Sequence, residues 1–109
     1  MTVYDMPRVL DPFSNPSAEE LAEYRDWTCE ICGMERGVQR HHALFRRDIR
    51  FPQLDCALNY QLVGVICHMS GCADTRANRL EFYEKQCERY GKDVVDGWID
   101  SLPMHDKSL

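Results

Sequence analysis

Long apolar stretches are missing from this sequence of 109 residues. The longest apolar run covers only residues 62–67 and is interrupted by Gly64, whereas about 20 consecutive apolar residues are needed for a helix to cross a membrane. We therefore expect no membrane partner. The first residues, MTVYDMPRVL, also lack the basic segment followed by an apolar one that marks a secretory signal, so the expected compartment is the cytoplasm.

A dominant charge of one sign is also missing, since the net charge is −5 with 44% hydrophobic and 28% charged residues. These proportions are typical of a globular protein and exclude the disordered and collagen-like classes. The charge is unevenly placed, because residues 36–50 carry five arginines against Asp48 alone. An anionic partner is therefore expected at this segment rather than over the whole surface.

Local patterns predict a small α+β fold. Residues 1–16, with three prolines, predict an extended and loosely docked arm, and residues 17–109 predict a single domain. In the first half we expect a helix over 17–27, opened by a capping box of Ser17 and Glu20, then a strand over 38–44, a basic loop over 46–56 and a strand over 60–66. A helix after Gly71 is expected to end at Gly91 and to have on its buried face Leu80, Tyr83, Cys87 and Tyr90. A last helix is expected to be capped by Asp93 and ended by Pro103. The part from about 79 to 103 is expected to serve packing.

Six cysteines in a reducing compartment favour metal ligation over disulfides. Cys29 and Cys32, in CEICG, have the C-x-x-C spacing with which two thiolates of one tight turn bind a tetrahedral zinc. Cys67 and Cys72 are the candidates for the other two ligands. Such a structural zinc supplies folding energy and does not by itself indicate an enzyme.

The two remaining cysteines have a simpler interpretation. Free cysteine is among the most buried residue types, and Cys87 falls on an apolar helix face, so we predict a core residue there. Cys56 follows Asp55 in the basic loop. It is either a core residue or a substitute for Cys72 at the zinc.

Four motifs follow one another between residues 29 and 68: CEIC, HHALF, NYQLV and the dipeptide CH. In this order they resemble the HNH endonuclease family, whose ββα-metal module reads, in outline, C-x-x-C, then D-H or H-H, then Asn, then C-x-x-C-H or C-x-x-C-N. The similarity covers about residues 27–78. It implies a β-hairpin plus a helix around a divalent metal, with a zinc knuckle and flanking N- and C-terminal helices. Proteins of this family and size are often encoded by phages or mobile elements.

The resemblance implies a role for each matching residue. His42 would be the general base that activates water, and Asn59 would help to orient it across the hairpin. His41 and His68 would bind the catalytic divalent metal. Because imidazoles are softer ligands than Mg²⁺ prefers, Mn²⁺, Ni²⁺, Co²⁺ or Zn²⁺ are candidates beside Mg²⁺.

The sequence departs from the family pattern at Gly64, which stands where the family commonly has the first cysteine of its second C-x-x-C. Either Cys72 replaces that cysteine, or the zinc site keeps three cysteines and is weakened.

The predicted function is hydrolysis of DNA phosphodiester bonds by a metal-dependent endonuclease. The phosphate contacts are expected from arginines, whose guanidinium groups match phosphate geometry: Arg40, Arg46, Arg47 and Arg50. The alternative is a non-catalytic, zinc-stabilised DNA-binding or assembly module. The two differ in whether His41 and His68 converge on a site apart from the cysteines. Both a monomer and a homodimer are compatible with the sequence.

Overall fold

Residues 9–109 are described by the structure, which is a computed structural model. This part of the chain forms a two-stranded antiparallel sheet and four α-helices, which confirms the predicted α+β class. The elements are α1 (Ala18–Tyr24), β1 (Gln39–His42), β2 (Tyr60–Val63), α2 (Val65–Met69), α3 (Arg76–Tyr90) and α4 (Lys92–Ser101), with 3₁₀ segments at Pro52–Leu54 and Cys72–Asp74. Within residues 9–109, every helix is too short or too polar to span a bilayer.

Helix α1 begins with the predicted capping box. The Ser17 hydroxyl accepts from the Glu20 N–H at 3.1 Å, and the Glu20 carboxylate accepts from the Ser17 N–H at 3.3 Å. The helix ends at Tyr24 rather than at Trp27, because Asp26 and Trp27 both adopt left-handed backbone conformations with φ of 57° and 53°. Two consecutive left-handed residues cannot continue a right-handed helix.

The sheet is a hairpin with an unusually long connection. His42 pairs with Tyr60 at one end of the ladder and Gln39 pairs with Val63 at the other. Strand β2 stops at Val63, three residues earlier than predicted, because Gly64 is the N-cap of α2. The prediction of strand for residues 65 and 66 is therefore wrong, and His68 lies on a helix.

The arm ahead of α1 is tied to the domain between residues 12 and 14. The Leu58 N–H donates to the Pro12 carbonyl at 3.1 Å, and the Ala57 N–H donates to the Ser14 carbonyl at 2.8 Å. This stretch is thus docked more firmly than its prolines predict. Residues 1–8 of the predicted arm lie outside the described residues.

The main core lies between the long connection and the two C-terminal helices. It contains Ala43, Leu44, Phe45, Leu54, Cys56, Leu58, Phe82, Val95, Trp98 and Leu102. Helix α3 faces it with Phe82 and Gln86, while Leu80 is 38% exposed, so the predicted face is wrong at that position. Tyr83, Cys87 and Tyr90 pack at the edge of this core.

Helix α3 ends at Gly91 as predicted, and the same glycine begins α4. Its φ of 94° is a backbone conformation that residues with a Cβ rarely adopt, so the sharp turn between the helices needs glycine. No side chain caps α4. The predicted cap, Asp93, lies inside the first turn, where its charge still favours the N-terminal end of the helix.

Ion pairs connect the turn that carries Cys29 and Cys32, called the knuckle below, to α3 and to the end of α1. Glu30 lies between Cys29 and Cys32, and its side chain is only 6% exposed. It forms ion pairs with Arg25, itself 3% exposed, and with Arg89 of α3. Its carboxylate also accepts from the Leu62 N–H at 3.2 Å, so the knuckle is attached to β2 as well.

Candidate functional site

Four ligand groups meet at the cysteine knuckle. The three thiol sulfurs of Cys29, Cys32 and Cys67 and a carboxylate oxygen of Glu35 all lie within 4.8 Å of one another. Ligand atoms of a tetrahedral zinc stand about 3.8 Å apart, given a Zn–S bond of about 2.3 Å. This group could therefore hold a metal ion such as zinc.

Backbone hydrogen bonds favour the thiolate form of Cys32. Its sulfur accepts from the N–H groups of Met34 at 3.5 Å and Glu35 at 3.4 Å. These hydrogen bonds, that from Met34 first, lower the pKa of Cys32 to about 7. Since the thiolate is the form that binds metal, these bonds favour ligation by Cys32 near neutral pH, whereas desolvation raises the pKa of Cys67 to about 12.

The structure does not bring Cys72 into this group. Helix α2 and Gly71, with a φ of 86°, separate it from Cys67, and its exposed sulfur accepts from the Ser70 hydroxyl at 3.2 Å. The group that lies close to the three cysteines is instead the carboxylate of Glu35. Cys56 is 4% exposed in the main core, where burial raises its pKa to about 11, so it is no substitute ligand.

The adjacent histidines at the end of β1 turn to different partners. The ring nitrogen Nε2 of His41 lies 3.0 Å from the Ala73 carbonyl oxygen, while Nε2 of His42 lies 2.8 Å from a carboxylate oxygen of Asp55. Neighbouring residues of a strand start out toward opposite faces, and these two rings reach different hydrogen-bond partners. The two imidazoles can therefore have different chemical roles.

His41 and His68 approach each other from β1 and α2. Their ring centroids are 5.2 Å apart. A carbonyl only accepts, so the bond to Ala73 puts the proton of His41 on Nε2 and leaves the lone pair on Nδ1. Nδ1 of His68 lies 2.8 Å from Oε1 of Gln39, which leaves the lone pair of His68 on Nε2. Burial lowers the pKa of His41, which keeps this imidazole neutral at pH 7.

These histidines line an open cleft of about 380 Å³. Its walls are formed by Arg40, His41, His42, Arg46, Arg47, His68 and Asp74. Asp74 places a carboxylate oxygen 3.8 Å from Nε2 of His41, and its side chain is 55% exposed. The cleft thus combines imidazole, carboxylate and guanidinium groups, and none of the four groups at the knuckle lines it.

Asn59 is fully buried and does not contact His42 through its side-chain hydrogen bonds. Its Oδ1 accepts from the N–H groups of Leu44 and Phe45, both at 2.9 Å, and its Nδ2 donates to the carbonyls of Phe45 and Leu54. The predicted orientation of His42 by Asn59 is therefore indirect. Asn59 fixes the long connection, and that connection carries Asp55, the partner of His42.

The four predicted arginines divide into two groups. Arg46 and Arg47 are exposed at the cleft, and Arg40 lies there too, with its guanidinium 4.8 Å from the Tyr60 ring centre and bonded to the Pro16 carbonyl at 2.7 Å. Arg50 does not line the cleft. It forms an ion pair with Asp48 at 2.7 Å, which lowers the pKa of that carboxyl to about 2.

Comparison with known proteins adds nothing to this geometry, since no family model, no curated protein and no solved structure matches the chain. The resemblance to HNH endonucleases therefore stays a prediction from the motif residues.

Three carboxylates at these sites are not indicated by the sequence motifs: Glu35, Asp55 and Asp74. A usable signal exists for the first of them, because an acidic residue three positions after Cys32 accompanies a glycine where a cysteine is expected. Asp55 and Asp74 have no comparable spacing signal.

Proposed function

We propose that the protein is a metal-dependent endonuclease that hydrolyses DNA phosphodiester bonds. The observation that carries the proposal is the pair His41 and His68. Each has one ring nitrogen engaged by an oxygen acceptor and the other left with its lone pair, in a cleft apart from the cysteines. Histidines that bind metals have this arrangement, because the acceptor fixes the tautomer and orients the ring.

Two residues of the cleft are the proposed ligands of a divalent metal. His41 would hold it through Nδ1 and His68 through Nε2, the nitrogens that the hydrogen bonds leave with a lone pair. Two imidazoles suit Mn²⁺, Ni²⁺ or Zn²⁺ at least as well as Mg²⁺. When bound, such an ion neutralises charge on the phosphate and stabilises the leaving oxygen.

His42 is the proposed general base. Because the Asp55 carboxylate accepts the proton of Nε2, the lone pair of His42 lies on Nδ1, and this nitrogen takes a proton from the attacking water. Asp55 holds the ring and stabilises the imidazolium that forms, as a carboxylate does beside a catalytic histidine. The Tyr60 ring, with its centroid 5.0 Å from that of His42, supports the imidazole edge-on.

Arg46 and Arg47 are proposed to bind DNA phosphates without reading its sequence. Replacing both with alanine should weaken binding to all DNA sequences alike and reduce the salt dependence of binding by about one unit of slope for each phosphate that is no longer bound. Arg50→Ala is the control, because Arg50 is already paired with Asp48. A salt titration of binding to two unrelated duplexes checks this, and an unchanged slope in the double variant would contradict it.

The experiment that tests the function is incubation of the full chain with supercoiled plasmid and, separately, with Mg²⁺, Mn²⁺, Co²⁺, Ni²⁺ or Zn²⁺. We expect nicked or linear DNA with at least one of these ions and none in the presence of a chelator. If the wild-type protein binds DNA but none of these ions supports cleavage, the nuclease proposal fails. The protein is then better described as a zinc-stabilised binding module.

A further inference from the structure

A glycine stands at the position where a second zinc knuckle would supply its first ligand. The C-x-x-C spacing places that ligand three residues before Cys67, and the residue there is the buried Gly64. A Cβ built on Gly64 would lie 2.1 Å from Cδ of Glu35 and 2.3 Å from Oε2. The space of a side chain at position 64 is thus filled by the carboxylate of Glu35.

The hydrogen bonds of Glu35 also match those of a knuckle cysteine. The Cys32 sulfur accepts from the backbone N–H groups two and three residues further along the chain. The Glu35 carboxylate accepts from Ile66 at 2.7 Å and Cys67 at 3.2 Å, which are the residues two and three positions after Gly64. Glu35 therefore has the backbone partners that a thiolate at position 64 would have by the pattern of Cys32.

We infer that Glu35 is the fourth ligand of a zinc site formed with Cys29, Cys32 and Cys67, in place of a cysteine at position 64. A carboxylate has about four lone-pair positions, so two N–H bonds leave room for a metal. Oxygen of glutamate is an established zinc donor beside cysteine and histidine. The inference does not depend on the proposed nuclease activity.

A purely structural role would make Glu35 only the cap of α2. Glu35→Gln bears on the two roles unequally, because glutamine keeps the shape and one oxygen that can accept the shorter bond from Ile66, whereas it loses the charge that binds zinc. Removing an outer-shell partner costs about 10- to 100-fold in metal affinity, so removal of a ligand should lower zinc affinity by about 100-fold or more. Competition with a chromophoric chelator measures this, with Cys72→Ser as the control that stays within about twofold of wild type.

A reciprocal exchange tests the replacement directly. Glu35→Ala empties the space beside position 64, and adding Gly64→Cys places a thiolate there. We expect the double variant to regain the zinc affinity that Glu35→Ala lacks. In the cobalt-substituted proteins, the sulfur-to-cobalt absorption of the double variant and wild type should stand in the ratio of four thiolates to three.

Three results would overturn the inference. One is wild-type zinc affinity in Glu35→Gln, and a second is loss of zinc in Cys72→Ser. The third is a wild-type cobalt spectrum with the intensity of four thiolates. Because this last measurement uses the unmodified chain, it decides the question even if Glu35→Ala fails to fold.

Discussion

Replacing His42 with alanine should remove most DNA cleavage while leaving the fold and DNA affinity intact. A positioned general base contributes about 10²- to 10⁴-fold to a rate, so the cleavage rate should fall by that factor at saturating metal. The side chain is 19% exposed and belongs to none of the hydrophobic core clusters, so its removal should cost about 1 kcal/mol, chiefly for the hydrogen bond to Asp55. Single-turnover cleavage of supercoiled plasmid, with DNA affinity measured in a chelator, checks the prediction.

Other histidines supply the controls for this experiment. His105→Ala should cleave at the wild-type rate, because His105 is exposed near the C-terminus and does not line the cleft. His68→Ala should fail differently, with lower affinity for the catalytic metal and partial recovery of cleavage at high metal concentration. Cleavage by His42→Ala at the wild-type rate would refute the role of His42 as base.

Replacing Glu30 with alanine should lower the free energy of unfolding by about 3–5 kcal/mol, because removing one partner of a buried ion pair leaves the other charge uncompensated. Among the ion pairs of residues 9–109, Glu30 is the only carboxylate partner of the buried Arg25, so Glu30→Ala leaves Arg25 without one. Arg89 loses its ion pair as well. Urea unfolding at saturating zinc measures the change.

The control for Glu30 is Glu84→Ala, an exposed acid on α3, which should shift stability by less than about 0.5 kcal/mol. Zinc content is measured on both variants, so that loss of the metal is recognised separately. A decrease below about 1 kcal/mol in Glu30→Ala would mean that the network around Arg25 contributes little.

Local signals account for the parts of the fold that the sequence predicts. Ser17 and Glu20 cap α1, and Gly91 ends α3, because each of these devices acts within one turn of the chain. Helix α2 escapes prediction because its start depends on a distant residue. Its residues 65 and 66 are β-formers, but Glu35, about 30 residues away in sequence, accepts the N–H groups at its start.

The candidate site divides in the same way. Cys29 and Cys32 are found by spacing because their turn is local, and Cys67 joins them as predicted. Asp55, Asp74 and Glu35 reach their partners only through the hairpin, the long connection and the turn at Gly71, and no spacing in the sequence encodes those contacts. Spacing alone favours Cys72 as a ligand, but the turn at Gly71 leads it away.

The position of Glu35 has a consequence for the order in which the chain acquires its structure. Seven residues, 29–35, contain three of the four donor groups at the knuckle, whereas Cys67 lies 32 residues beyond Glu35. The entropy lost on closing a loop rises with its length. The three groups of this short segment can therefore bind a metal ion at a lower entropic cost than Cys67 can, before β1 and β2 pair. Zinc capture would then precede the hairpin and give β2 and Cys67 a preformed surface on which to assemble.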